Sequence, residues 1–180
     1  MGYKRFFEPK SNKFLIKLTK FILPLALGSR VILTPNHPTS IDPIIMFYLS
    51  RVIDYNFNYL AAWDIFVEEP IKGYFIQQLG AYSIIRNSID NNSFKKTIEL
   101  IAKGENYLVI FPEGDTNGLN EHLMPFQSGV IQLAFWALDE LNNKQNKLEN
   151  LFLIPVAIKY KYIKPMKKVI ELALTRIEKN

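Results

Sequence analysis

The chain has 180 residues, 48% of them hydrophobic, 22% charged and 13% aromatic, with 22 Lys and Arg against 17 Asp and Glu for a formal charge of +5. That is one domain's length with apolar material for a sizeable core, which excludes disordered, collagen-like and low-complexity classes. Without cysteine it can carry no disulfide framework, thiolate metal site or cysteine nucleophile, and two histidines do not make a histidine-rich metal centre.

The basic charge sits at the two ends. Residues 1–30 hold seven basic side chains against the single acid Glu8, residues 31–150 eight against fourteen, and residues 151–180 seven against two. At about 100° per residue, Lys10, Lys13, Lys17 and Lys20 share one sector, and Phe14, Leu15, Leu18, Phe21, Ile22 and Leu25 share the opposite one. This is a basic amphipathic helix, kinked or ended at Pro24. Lys17 and Lys20 interrupt an apolar stretch that already falls short of the roughly 20 residues needed to cross a bilayer. Residues 1–30 therefore read as a segment lying in an anionic membrane interface, peripheral or monotopic, on the cytoplasmic face. A helix packed on its own domain and a signal peptide with small residues at Ala26 and Gly28 are the alternatives.

Residues 31–180 alternate short β-rich runs with helical ones, with no linker or repeat. Strands are predicted at Val31–Pro35, Phe57–Ala61, Tyr82–Ile85, Tyr107–Phe111 and Leu151–Lys159. Helices are predicted at Asp42–Ser50, Glu69–Leu79, Asn92–Lys103, Ser128–Leu141 and Pro165–Ile177. The third of these starts at a cap chosen from Asn91, Asn92 and Ser93 and stops before Gly104. The alternation implies a single α/β domain, a largely parallel β-sheet flanked by helices, preceded by the N-terminal amphipathic helix. In such sheets chemistry collects in the loops beyond the carboxyl ends of the strands.

Two such loops carry distinctive residues. Asn36-His37-Pro38-Thr39-Ser40-Ile41-Asp42-Pro43 follows the first strand. A His and an Asp at this spacing can fold together so that the carboxylate holds one ring nitrogen and leaves the other as a general base; alternatively, Asp42 is only a helix-start residue and His37 a surface one. Ile110-Phe111-Pro112-Glu113-Gly114 closes the fourth strand, either as part of a site or as an ordinary strand-ending turn.

NHPTSID and FPEG in this order resemble the glycerolipid acyltransferase family, membrane-associated enzymes that acylate glycerol 3-phosphate, lysophosphatidate and other lysophospholipids. Gly80-Ala81-Tyr82-Ser83-Ile84-Ile85-Arg86 and Ile154-Pro155-Val156-Ala157 look like that family's remaining two blocks. The resemblance implies an O-acyltransferase of the 1-acylglycerol-3-phosphate type acting in phospholipid biosynthesis. It implies His37 as general base and Asp42 as its orienting partner, Arg86 on the acceptor phosphate, Glu113 and Gly114 shaping the acceptor site, and Pro155 on the acyl-chain side. The expected partners are a lysophospholipid acceptor, an acyl-CoA or acyl carrier protein donor and an anionic membrane surface. No metal or other cofactor is implied, because a thioester is already activated.

The sequence departs from the family pattern where phosphate is read. Asp115 and Thr116 stand where a small residue and an Arg are common, and Gln127 stands where a Lys is common, which leaves Arg86 as the main cation and Lys159 as a possible helper. An acceptor without a phosphate monoester is therefore an alternative; a non-catalytic lipid-binding protein on the same fold is another, and the presence of His37 and Asp42 argues against it. Nucleic acid is not an expected partner, since no recognition motif is present and residues 31–150 are net acidic.

Overall fold

A computed structural model describes residues 29–85, 90–145, 150–161 and 166–178. The predicted amphipathic helix of residues 10–27, and Arg86, lie outside the described residues. In chain order the elements are β1 (Arg30–Pro35), α1 (Asp42–Ile53), β2 (Phe57–Ala62), α2 (Trp63–Glu68), α3 (Pro70–Gln78), β3 (Ala81–Ile84), α4 (Asn91–Lys103), β4 (Tyr107–Val109), α5 (Gly129–Gln145), β5 (Leu151–Val156) and α6 (Lys167–Glu178).

The five strands form one sheet in the order β3-β2-β4-β1-β5, and every pairing is parallel. Strands covered on both faces read as continuous apolar runs. That is the case in the middle of this sheet, where Val31, Ile32, Leu108 and Val109 are each at most 2% exposed. Alternate residues feed two cores. Val31, Leu33, Tyr107 and Val109 pack with Met46 of α1 on one face, whereas Ile32, Leu108 and Ile110 pack with Ile101 of α4 and with Val130, Leu133, Ala137 and Leu141 of α5 on the other. The connection leaving β1 thus crosses one face and the connection leaving β4 crosses the opposite face. Adjacent strands whose connections part in this way open a crevice between their carboxyl ends, the usual ligand position in an open α/β sheet. The two loops singled out in the sequence leave from these two strands.

The expected elements are present, with differences that have local causes. Helix α4 is capped by Asp90, not by Asn91, Asn92 or Ser93, and the Asp90 carboxylate accepts the Ser93 N–H at 3.1 Å and its hydroxyl at 2.5 Å. These two bonds hold the Asp90 carboxyl below its ordinary range. The other end follows expectation, with Gly104 left-handed at φ 65°. Helix α2, absent from the sequence reading, starts directly from β2 without a capping side chain and buries no residue. Strand β5 stops at Val156 rather than Lys159 because its partner β1 ends at Pro35.

Candidate functional site

The loop after β1 turns back on itself through Asp42. This residue is the first of α1, with Pro43 next to it and no side-chain cap at Ile41, so its carboxylate is not used as a helix cap. It points instead into the loop and is fully buried. Oδ2 lies 2.8 Å from His37 Nδ1 and accepts the Thr39 N–H at 2.8 Å. Oδ1 accepts the Thr39 hydroxyl at 3.2 Å and the Tyr160 hydroxyl in a short bond. Four donors thus replace the water that a buried carboxylate has lost.

The imidazole of His37 is stacked on the Phe111 ring, with centroids 4.2 Å apart and planes 27° from parallel. A ring held through Nδ1 by a carboxylate carries its proton there and presents Nε2 as the basic nitrogen. Nε2 has no hydrogen-bond partner among the described residues, and the side chain remains 15% exposed. The arrangement can take a proton from a group docked at Nε2 and stabilise the resulting imidazolium through Asp42.

Glu113 comes from the loop after β4 and is 5% exposed. Its Oε1 accepts the backbone N–H of His37 at 2.6 Å, and its Oε2 accepts the Asn117 amide at 3.0 Å and the Met124 N–H at 2.8 Å. The carboxylate therefore ties the two motif loops together, one from each side of the crevice. Gly114 follows at φ 77°, where a left-handed turn returns its N–H to the Phe111 carbonyl at 3.1 Å. A Cβ there would sit 3.3 Å from Gln127 Cγ, so Gln127 packs directly against this turn. Asp115 is exposed and its carboxylate accepts the Thr116 N–H at 2.8 Å.

A third loop, after β5, completes the site. Asn36 donates to the Ile158 carbonyl at 3.0 Å and accepts the Ile158 N–H at 2.5 Å, while Asn120 donates to the Tyr160 carbonyl at 2.8 Å and accepts the Tyr160 N–H at 2.7 Å. Where the β1–β5 ladder ends, two side-chain amides continue it. They bring the Tyr160 hydroxyl to Asp42 and to within 3.0 Å of Thr39 Oγ1. Burial, and then the hydrogen bond to the neighbouring Asp42 carboxylate, push the Tyr160 phenol up to about 12.

His37, Asp42 and Glu113 thus meet as their loops suggested, with Gly114 at the adjoining turn. Pro155 does not join them: it is an exposed residue of β5, opposite Thr34 of β1, on the same face of the strand as Leu153. Lys159 forms a surface ion pair with Glu121 at 2.6 Å. The strand leading toward Arg86, β3, is the far edge of the sheet, three strand spacings or roughly 14 Å from β1. Thr39, Asn36, Asn117, Asn120 and Tyr160 were not singled out by sequence reasoning. Of these, only Asn36 and Thr39 lie inside a recognisable motif.

Neither curated proteins nor solved structures give a match to this chain. The acyltransferase family model matches residues 16–159, which includes the loops after β1 and β4 and ends in the loop after β5, one residue before Tyr160. With that match over most of its length, the chain belongs to the acyltransferase family, and its α/β domain is that of an acyltransferase enzyme.

Proposed function

We propose that the protein transfers a fatty acyl group from an acyl thioester, carried by acyl-CoA or acyl carrier protein, to the hydroxyl of a lysophospholipid, most consistently 1-acylglycerol 3-phosphate. The observation that carries this reading is the 2.8 Å contact between His37 Nδ1 and the buried Asp42, with Nε2 left open, in a chain of this family. In the proposed step Nε2 takes the acceptor's hydroxyl proton as its oxygen attacks the thioester carbonyl. The tetrahedral intermediate then collapses, the carbon–sulfur bond breaks, and the thiolate leaves with the proton returned from the imidazolium. Asp42 stabilises the charge that the ring carries between these events. Glu113 acts by holding the His37 backbone, with Gly114 forming the turn beside it.

Arg86 is proposed to bind the acceptor's phosphate. A charge-assisted contact to phosphate contributes about 1.5–3 kcal/mol, or roughly ten- to a hundredfold in affinity. Arg86→Ala is expected to raise the Michaelis constant for lysophosphatidate by that factor and to spare the acyl donor. The measurement is radiolabelled acyl transfer to lysophosphatidate and to a lysolipid of the same chain without a terminal phosphate monoester. Equal weakening of both acceptors makes Arg86 a structural residue. Thr116 and Gln127 support a second reading, in which the acceptor lacks a phosphate monoester, and the same panel decides between them.

Residues 1–30 are proposed as a membrane-interface segment preceding an acyltransferase domain of residues 31–180, acting at the cytoplasmic face of a membrane. No helix among the described residues is long and apolar enough to cross one. Support comes from α1, which starts at the site and, with Ile41 just before it, exposes Ile44, Tyr48 and Val52 along one stripe. Each Lys near an anionic surface adds about 1 kcal/mol. Changing Lys13, Lys17 and Lys20 together to Glu is therefore expected to release the protein from anionic vesicles while turnover of detergent-dispersed substrate survives. Unchanged vesicle binding returns residues 10–27 to a packed helix.

A further inference from the structure

We infer that Tyr160 is a positioning residue for the His37–Asp42 pair: its phenol, fixed through Asn120, holds the Asp42 carboxylate in the orientation that aims Oδ2 at His37. This rests on the reading of His37 as the general base. An aspartate's terminal torsion is broad and roughly two-fold, so burial alone does not fix which way its oxygens face. Here each oxygen has its own donors. Oδ2 serves His37 and the Thr39 N–H, and Oδ1 serves the hydroxyls of Thr39 and Tyr160.

Of the donors on Oδ1, only Tyr160 comes from outside the loop that carries the pair, 118 positions away in sequence. The Thr39 hydroxyl is a free rotor whose oxygen also receives the Ile41 N–H at 3.2 Å. The phenol has one polar atom at the end of a rigid ring, and that hydroxyl donates to Asp42 Oδ1. Its backbone is gripped from both sides. Asn120 pairs with the N–H and C=O of Tyr160, and Asn36, the residue before His37, pairs with those of Ile158. The distance from Tyr160 to the His37 loop is therefore set by a short, doubly bonded connection. Such second contacts, which lock a reacting group's partner, are what keep a site within productive geometry.

Tyr160→Phe removes one oxygen and keeps the ring. It is expected to lower kcat about tenfold while both Michaelis constants stay within about twofold, since a hydrogen bond to a charged group is lost without any contact to substrate. The decisive readout needs no turnover. The chain has only two histidines, His37 and His122, so the exchange-protected Nδ1–H of His37 can be followed as a low-field proton resonance in the full-length protein, with His122 as internal control. That resonance is expected in the parent and lost to water exchange in Tyr160→Phe. Asn120→Ala, which keeps the phenol but frees its backbone, is expected to weaken it too, and covers the case in which the first variant fails to fold. A His37 resonance of parent position and linewidth in Tyr160→Phe overturns the inference, as does a kcat equal to the parent's. Loss of kcat with an unmoved resonance also overturns it, because Tyr160 then acts other than through Asp42. If the parent transfers no acyl group at all, the general-base reading fails, and the resonance comparison still decides whether Tyr160 orients Asp42.

Discussion

His37→Ala is expected to reduce acyl transfer by about 10²- to 10⁴-fold, the contribution of a positioned imidazole to proton removal from an alcohol, while the melting temperature stays close to the parent's. The two expectations have separate causes. The ring carries the basic nitrogen, yet its removal costs the fold little more than the stacking contact with Phe111, worth about 0.5–1.5 kcal/mol beyond its burial, and one of the four donors to Asp42. The Asp42 carboxylate keeps the Thr39 N–H, the Thr39 hydroxyl and the Tyr160 hydroxyl, so no bare charge is left buried. Asp42→Asn should fall between His37→Ala and the parent. Its amide oxygen can take over the two bonds of Oδ2, and the facing hydroxyls can turn to accept from its NH₂, but a neutral amide no longer stabilises an imidazolium. Single-turnover assays with a radiolabelled acyl donor, run beside thermal unfolding, check both variants. A His37→Ala protein turning over at the parent rate removes the imidazole from the mechanism.

Glu113→Ala is expected to do the reverse and damage the fold together with activity. Three donors converge on this buried carboxylate: the His37 N–H, the Asn117 amide and the Met124 N–H. A fully buried donor left without an acceptor costs about 1–3 kcal/mol, and these three are part-buried, so water entering the space recovers some of that. A net loss of about 3–5 kcal/mol lowers the melting temperature by roughly 10 °C in a domain of this length. Glu113→Gln should be intermediate, since its NH₂ must face at least one of the three donors. Circular dichroism melts check the ranking. If Glu113→Ala melts with the parent, the carboxylate does not tie the two loops together, and a purely substrate-facing role for Glu113 becomes the better reading.

Much of this architecture was legible in the residues because the controlling forces are local. The runs Val31–Pro35 and Tyr107–Phe111 read as strands of a sheet flanked by helices, and Gly104 read as a helix stop because a left-handed residue there favours glycine. The His37–Asp42 contact spans five positions, a spacing that allowed the pair without requiring it, and the family resemblance is what singled it out. Helix α2 escaped notice because it continues from β2 with neither a capping residue nor a buried face to mark it. Asp90 was overlooked as a cap in favour of three polar neighbours that follow it. Tyr160 and Asn120 could not be found at all. Their partners are set by which strands lie side by side, and neither residue is distinguished by composition or periodicity.

The strand order also bears on how the molecule comes into being. Of the five described strands β1 is made first, yet it occupies an interior place in the sheet between β4 and β5. Ile32 faces Leu108 on one side and Leu153 on the other, so its neighbours follow it by 76 and 121 positions. At a synthesis rate of about 5–20 residues per second, the first neighbour arrives roughly 4–15 s after β1 and the second roughly 6–24 s after it. Until β4 is made the nascent chain carries an apolar strand with both hydrogen-bonding edges open, and until β5 is made one edge stays open, the form most prone to pair with the wrong chain. The interval also delays chemistry, because Tyr160 lies just beyond the strand that arrives last. A ribosome-bound chain that has been made past Glu113 but not as far as β5 therefore has the histidine, the aspartate and the glutamate but no completed sheet to hold them, and newly made protein is expected to depend on holdase chaperones until β5 is in place.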